Sequence, residues 1–148
     1  MFAYFGSRGL YCLDMKGNLK WERDFGQMNK RMTFGEGSSP ALYGDKIAVL
    51  WDHEGQSYLY ILDKKTGKEH YSKQRFEGMG EVYASPAAAK DRVYFIGHKG
   101  TMYVIKHGST FEVLAKNQLD DTFNASPAIV GSDIYLRGYK YLYCISRK

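Results

Sequence analysis

The sequence predicts an all-β chain assembled from repeats of one small antiparallel unit, and three observations carry that reading. The first is a tripeptide, Ser-Pro-Ala, at 39–41, 85–87 and 126–128. It uses all three prolines of the 148-residue chain and recurs at spacings of 46 and 41 residues. The second is composition: aromatics reach 16%, with 13 tyrosines, a bias toward side chains that fit a pleated surface. The third is the pattern between the prolines, short apolar runs broken by glycine, aspartate and lysine. A period of about 40 to 45 residues built from such runs marks the blades of a β-propeller, each a four-stranded antiparallel sheet. The chain reads as a single domain, 1–148, of about three and a half to four blades, in units near 1–37, 38–82, 83–123 and 124–148.

The inner strand of a unit opens at the tripeptide, giving 38–43, 83–88 and 125–130. Proline has no N–H for a ladder, so Pro40, Pro86 and Pro127 belong at the start or open edge of a strand, beside the central channel. The second strands are 2–6, 47–51, 93–97 and 134–138, three of them ending on glycine (Gly6, Gly97, Gly138), as a tight hairpin with positive φ requires. Hairpins lead to the third strands 10–14, 58–63, 102–106 and 142–146. A second turn follows, opened by Asp14 and closed by Gly17 in the first unit, opened by Asp63 and closed by Gly67 in the second. Trp21 and Tyr71 then start the outer strands, where a flat ring wedges against the next blade and buries about 150 to 250 Å². In the third unit the turn has decayed to 106–109, with Phe111 and Val113 after it.

The first unit lacks an inner strand and the last an outer one, so the units hold three, four, four and three strands. A propeller of about four to eight blades must close its ring or leave an edge open. The count therefore predicts self-association, a homodimer joining two half-rings, with a closed four-bladed monomer as the competing arrangement. The connections 26–37, 77–82 and 119–124 are the least regular segments and are expected to carry binding residues.

Apolar content of 44%, charge of 25% and a net charge of +5 spread without a block of like charges describe an ordinary solvated surface. Cys12 and Cys144 occupy matching places, Leu-Tyr-Cys-Leu and Leu-Tyr-Cys-Ile, and read as small buried residues rather than a disulfide. The start of the chain lacks the basic residues and apolar run of a signal peptide, and no stretch approaches about 18 apolar residues, so no membrane span and no export are expected.

The three Ser-Pro-Ala strand starts, the segment from Leu13-Asp14 to Trp21 and the segment Leu62-Asp63-Lys64-Lys65-Thr66-Gly67 resemble the PQQ-like β-propeller repeat family of BamB-like and quinoprotein-like propellers, over the whole chain. Asp14, Gly17 and Trp21, and likewise Asp63, Gly67 and Tyr71, are similar to the family's Asp-x-x-x-Gly-x-x-x-Trp docking motif and are expected to anchor blades to one another. Full-length relatives typically have seven or eight blades and a periplasmic export signal. The resemblance is thus to a partial or contracted member, with 65–74 as the place of contraction. It spans assembly factors, quinone-dependent dehydrogenases and domains without known activity. A dehydrogenase of this family implies adjacent cysteines, a tryptophan platform and a Ca²⁺ site; the two cysteines here are far apart, so no cofactor is expected.

Asp52, His53 and Glu54 on one hairpin, with His98 in the matching hairpin of the next unit, are the candidate metal ligands; a solvated turn is the preferred reading, since nothing in their spacing makes them converge. His70 and His107 stand alone and are expected to be exposed. Asp120 and Asp121, ahead of Thr122 and Phe123, read as a turn cap rather than a cation site. The run Arg137-Gly138-Tyr139-Lys140-Tyr141 interleaves cations and aromatics as single-strand nucleic-acid binders do, but tyrosines packed between blades are the preferred account. The expected function is a non-catalytic scaffold presenting loops and sheet edges to a protein partner. A degenerate fragment of a quinone-dependent dehydrogenase and a weak nucleic-acid binder are the alternatives.

Overall fold

A computed structural model describes residues 1–28, 39–51 and 58–146. Within them the chain is all-β. Its fourteen strands are β1 (Phe2–Tyr4), β2 (Leu10–Leu13), β3 (Leu19–Arg23), β4 (Ala41–Tyr43), β5 (Lys46–Trp51), β6 (Tyr58–Asp63), β7 (Glu69–Gln74), β8 (Ala87–Ala89), β9 (Arg92–Ile96), β10 (Thr101–Lys106), β11 (Val113–Gln118), β12 (Ala128–Val130), β13 (Asp133–Arg137) and β14 (Leu142–Ile145). They form four antiparallel meanders, β1-β2-β3, β4-β5-β6-β7, β8-β9-β10-β11 and β12-β13-β14, the three, four, four and three strands the sequence pattern predicts. The one helical feature among the described residues is a 3-10 turn at Gly6–Arg8, inside the first hairpin.

The sheets stack face to face because their middle strands carry apolar residues on both faces. Lys46–Trp51 is buried throughout: Ile47, Val49 and Trp51, with Tyr60 and Leu62 of the neighbouring strand, point to the first sheet, where they meet Leu10, Phe2 and Tyr4, and Ala48 and Leu50 point to the third. A strand covered on both sides reads in sequence as a continuous apolar run rather than an alternation. The second joint packs Leu59 and Ile61 against Val93, Phe95, Tyr103 and Ile105; the third packs Ile96 and Met102 against Leu136, with Phe123 wholly buried between them. No cluster of this kind joins the fourth sheet to the first among the described residues. The arrangement is an open arc of four blades with three joints, so the closed four-bladed monomer lacks its fourth joint.

Along the inner side, β4, β8 and β12 are neighbours. Pro40, Pro86 and Pro127 each sit one residue ahead of these edge strands, so the missing N–H costs no ladder bond. The serines of the tripeptide link them in register: the Ser39 N–H donates to Ser85 Oγ at 3.0 Å, and the Ser85 N–H donates to Ser126 Oγ at 2.8 Å.

Two local expectations are corrected. Of the strand-ending glycines, Gly6 alone adopts positive φ (54°). Gly97 and Gly138 are required by close approach instead: a Cβ would lie 2.3 Å from the Met79 carbonyl oxygen at the first and 2.2 Å from the Asp121 carboxylate at the second. Neither cysteine is a buried core residue. Cys12 is half-buried and Cys144 is exposed, because β14 closes the fourth sheet on a face nothing covers; both are free thiols.

The outer strands begin at Leu19 and Glu69, two residues earlier than the aromatics, where they pair with Leu13 and Leu62 across a register shift. Trp21 crosses the first joint. Its ring lies on Gly67, where an added Cβ would come within 2.7 Å, and its Nε1–H donates to the Lys64 carbonyl at 3.3 Å, while Arg23 pairs with Glu69 beside it. Tyr71 meets Phe111 edge-on at 5.8 Å in the second joint, and burial pushes its phenol up to about 12. Trp21 is half-buried. Trp21→Ala should therefore cost about 2 kcal/mol, below the ~3–5 of a fully buried tryptophan. That is a fall of roughly 4–8 °C in Tm, and an unchanged melting curve would refute the contact's importance.

Candidate functional site

One end of the arc gathers the hairpins between second and third strands of the first, third and fourth sheets together with the connections from the second sheet to the third and from the third to the fourth. The connections are buttresses as much as loops. The Glu81 carbonyl accepts from the His98 N–H (2.7 Å), the Gly78 carbonyl from the Thr101 hydroxyl (3.0 Å), and the Glu77 carbonyl from the Tyr103 hydroxyl (2.7 Å). One sheet further on, the Phe123 N–H donates to the His98 carbonyl and the Tyr139 N–H to the Thr122 carbonyl. A row of polar side chains rests on this frame. The Tyr83 hydroxyl donates to the Glu81 carboxylate (2.9 Å) and its ring stands edge-on to His98. His98 Nδ1 lies 2.8 Å from Asn124 Oδ1 and 3.4 Å from the Phe123 carbonyl; both are acceptors, so Nδ1 carries the proton. The Asn124 amide reaches the Tyr139 hydroxyl at 3.2 Å.

Asp121 is the buried acid of this end, and among the described residues no cation touches its carboxylate. It accepts hydrogen bonds from the backbone N–H of Thr122 (2.7 Å), Lys140 (3.0 Å) and Tyr141 (3.1 Å) and from the Tyr143 hydroxyl (3.2 Å). Burial raises its pKa, but the donors from Thr122, Lys140, Tyr141 and Tyr143 together outweigh burial and hold it below the usual carboxylate range. The acid leaves the third sheet and closes the hairpin of the fourth, so it caps a turn across a blade boundary. The sequence pointed to a turn cap without revealing whose turn; the wholly apolar Phe123 two residues on was the available sign that this segment enters a joint.

The other candidates are placed as follows. Asp52, His53 and Glu54 lie outside the described residues, and His98 binds Asn124 and a carbonyl. Among the described residues no three His, Cys, Asp or Glu side chains come together as a metal site. His70 and His107 are half-buried rather than exposed, His107 because its ring is folded against Tyr43, with Nε2 3.2 Å from the Tyr43 carbonyl. Of the basic run, the Arg137 guanidinium bonds the Gly138 carbonyl and the Lys140 ammonium lies 3.4 Å from the Asp120 carboxylate. At the opposite end, the Asp14 carboxylate accepts from the Asn18 side chain and the N–H of Asn18 and Lys16, and Asp63 accepts from the Thr66 hydroxyl and the N–H of Thr66 and Lys65. Those donors, the Asn18 amide first for one and the Thr66 hydroxyl first for the other, hold both acids below their ordinary pKa, Asp14 well below it.

The family model for the outer membrane protein assembly factor BamB matches residues 2–148. The chain belongs to the BamB family of PQQ-like propellers. Among solved structures, BamB from Moraxella catarrhalis superposes with a TM-score of 0.68 at 17% identity, covering 98% of this chain and 41% of that one. A europium-containing methanol dehydrogenase superposes with a TM-score of 0.52 at 14% identity over 68% of this chain and 20% of its own. No curated protein sequence matches. The chain thus spans about two-fifths of the solved BamB. Among the described residues no helix is long and apolar enough to cross a membrane.

Among the described residues, the first and fourth sheets of this arc are each packed on one face only. On the fourth, Val130, Leu142 and Cys144 are exposed, with Leu142 67% accessible; at the first, Met1, Phe5 (60%) and Leu19 are exposed. Leu-Tyr-Cys-Ile of β14 is also an open edge without a charged residue, whereas the outer strands β3, β7 and β11 carry lysine.

Because the folded-state pKa of Asp121 is depressed, its contribution to stability is complete above the unfolded value near ~3.9 and is lost as pH falls through the lower folded value. Asp121→Asn should lower Tm at pH 7 and shrink the loss of Tm between about pH 4 and 2, since one fewer depressed acid then supplies it beside Asp14, Asp45 and Asp63. An Asn variant with the wild-type acid profile would show that this carboxylate does not hold the fourth sheet.

Proposed function

We propose that the chain is a non-catalytic protein-interaction module that binds another polypeptide across its uncovered flanks. The observation carrying this reading is the pair of terminal sheets, each packed on one side and exposing Val130 and Leu142, or Phe5 and Leu19, on the other. Large apolar side chains left exposed on an uncovered sheet face mark association sites. The family's description as an assembly factor supports the same kind of role. The quinone-dehydrogenase alternative rests on the fold alone. The nucleic-acid alternative is weakened where Lys140 is already paired with Asp120.

Pairing of two copies is the second reading, favoured by the four sheets of each arc, which would double to a ring of eight. Light scattering separates the readings: a mass near twice 17.0 kDa that persists on dilution supports the shared ring, and a stable folded monomer sinks it. For the module itself, Leu142→Lys should weaken a purified partner by about tenfold or more at unchanged Tm, because the side chain is exposed. Turnover of an alcohol or sugar after addition of quinone and Ca²⁺ would overturn the reading. So would a partner affinity indifferent to every flank substitution.

A further inference from the structure

The polar row at the loop end is one arrangement used twice. The His98 N–H donates to the Glu81 carbonyl as the Tyr139 N–H donates to the Thr122 carbonyl, at the 41-residue offset that also separates Ser85 from Ser126. Tyr83 and Asn124 are therefore equivalent, as are His98 and Tyr139, and each pair touches: the Tyr83 ring meets His98 edge-on at 5.0 Å, and the Asn124 amide donates to the Tyr139 hydroxyl. The bond from His98 Nδ1 to Asn124 Oδ1 ties the two pairs into one line. All of these residues lie within 81–139, so the line is set by the third and fourth sheets and the connections that enter them.

We infer that this line binds a neutral saccharide, with pyranose hydroxyls hydrogen-bonded along it and an apolar C–H face of the sugar lying on a tyrosine ring. Each member keeps a valence after the bonds within the line are made. With the proton on Nδ1, His98 Nε2 is an acceptor; Glu81 has a second carboxylate oxygen, Asn124 a second amide hydrogen and Tyr139 its hydroxyl proton. A sugar hydroxyl both donates and accepts, so it suits a line with acceptors at one end and donors at the other. The Tyr83 and Tyr139 rings, 49% and 69% accessible, add flat apolar surface held in place by Glu81 and Asn124. The backbone under the line is already engaged, through the carbonyls of Glu81, His98 and Thr122 and the N–H groups of His98, Phe123 and Tyr139, so a peptide finds no strand edge there to pair with. Segments 81–84, 98–100, 119–124 and 138–141 carry Glu81, Asp120 and Asp121 against Lys99 and Lys140, which leaves no excess positive charge to draw a phosphate or sulfate. The site goes beyond the interaction module and uses none of its flank residues.

The test is a titration of the isotope-labelled full chain with cellotetraose, whose equatorial hydroxyls leave both ring faces apolar, followed by amide and imidazole NMR. Saturable shifts around Tyr83, His98, Asn124 and Tyr139 are expected, with the His98 Nε2 resonance moving as its lone pair accepts a bond. Tyr139→Ala, at an exposed position, should weaken binding about tenfold or more at unchanged Tm, and Tyr139→Phe, which keeps the ring and drops the hydroxyl, should weaken it less. Asn124→Ala removes a donor without touching a ring, so a weaker saccharide complex in that variant carries the test if Tyr139→Ala does not fold. No saturable shift with cellotetraose, or an affinity unchanged by both alanine variants, overturns the site. Saturation by hexathymidylate or by the peptide Gly-Ala-Ser-Ala-Gly in place of cellotetraose overturns the choice of ligand. Leu142→Lys should leave saccharide binding unchanged; a loss there would put the sugar on the flank and overturn the assignment to this line.

Discussion

A sheet whose strands carry apolar side chains on both faces must be covered twice, and the rest of this structure follows from that need. β5 and β6 leave no solvated face, so the second sheet folds only between the first and third. The hydrophobic term is non-directional and sets no register of its own. Register comes from a few polar and aromatic contacts laid across each joint: the serine links on the inner side, Trp21 on Gly67 in the first joint, Tyr71 on Phe111 in the second, and the Asp121 carboxylate in the third.

The third joint shows how one device replaces another. Its outer strand has Ala115 where the first two carry tryptophan and tyrosine, so no ring reaches across. Asp121 supplies the link from the other end of the sheet, and its location inside the joint is tolerable because four donors satisfy it. A buried carboxylate left without them would cost more than the joint gains. Gly138 completes the device, since any side chain there would occupy the space of the carboxylate.

Strand number and order were legible because period, proline and alternation are local properties of a chain. The tripeptide marks each inner strand, and the buried runs of β5 and β10 leave no ambiguity about the middle of a blade. What escaped was set by contacts between units. Gly97 and Gly138 look like ordinary turn glycines until Met79 and Asp121 are brought against them. Cys144 repeats the pattern of Cys12 but lies on a bare face, because burial belongs to the neighbour and not to the motif. His107 escaped for the same reason: Tyr43, sixty-four residues away, packs against its ring.

Coverage also orders the blades by stability. In a stack where each unit touches only its neighbours, stability is a sum of unit and interface contributions, and a terminal unit has one interface where an inner unit has two. The second and third sheets therefore have two packed joints each, and the first and fourth, with one among the described residues, are expected to open most readily. A protein that seats on a bare flank adds the interface that the terminal sheet lacks. By mass action it stabilises that sheet in proportion to its free concentration over its dissociation constant. In the proposed role, binding at a flank and ordering of the terminal blade would be one equilibrium, with the surface that takes the partner being also the surface that leaves the blade least stable without it.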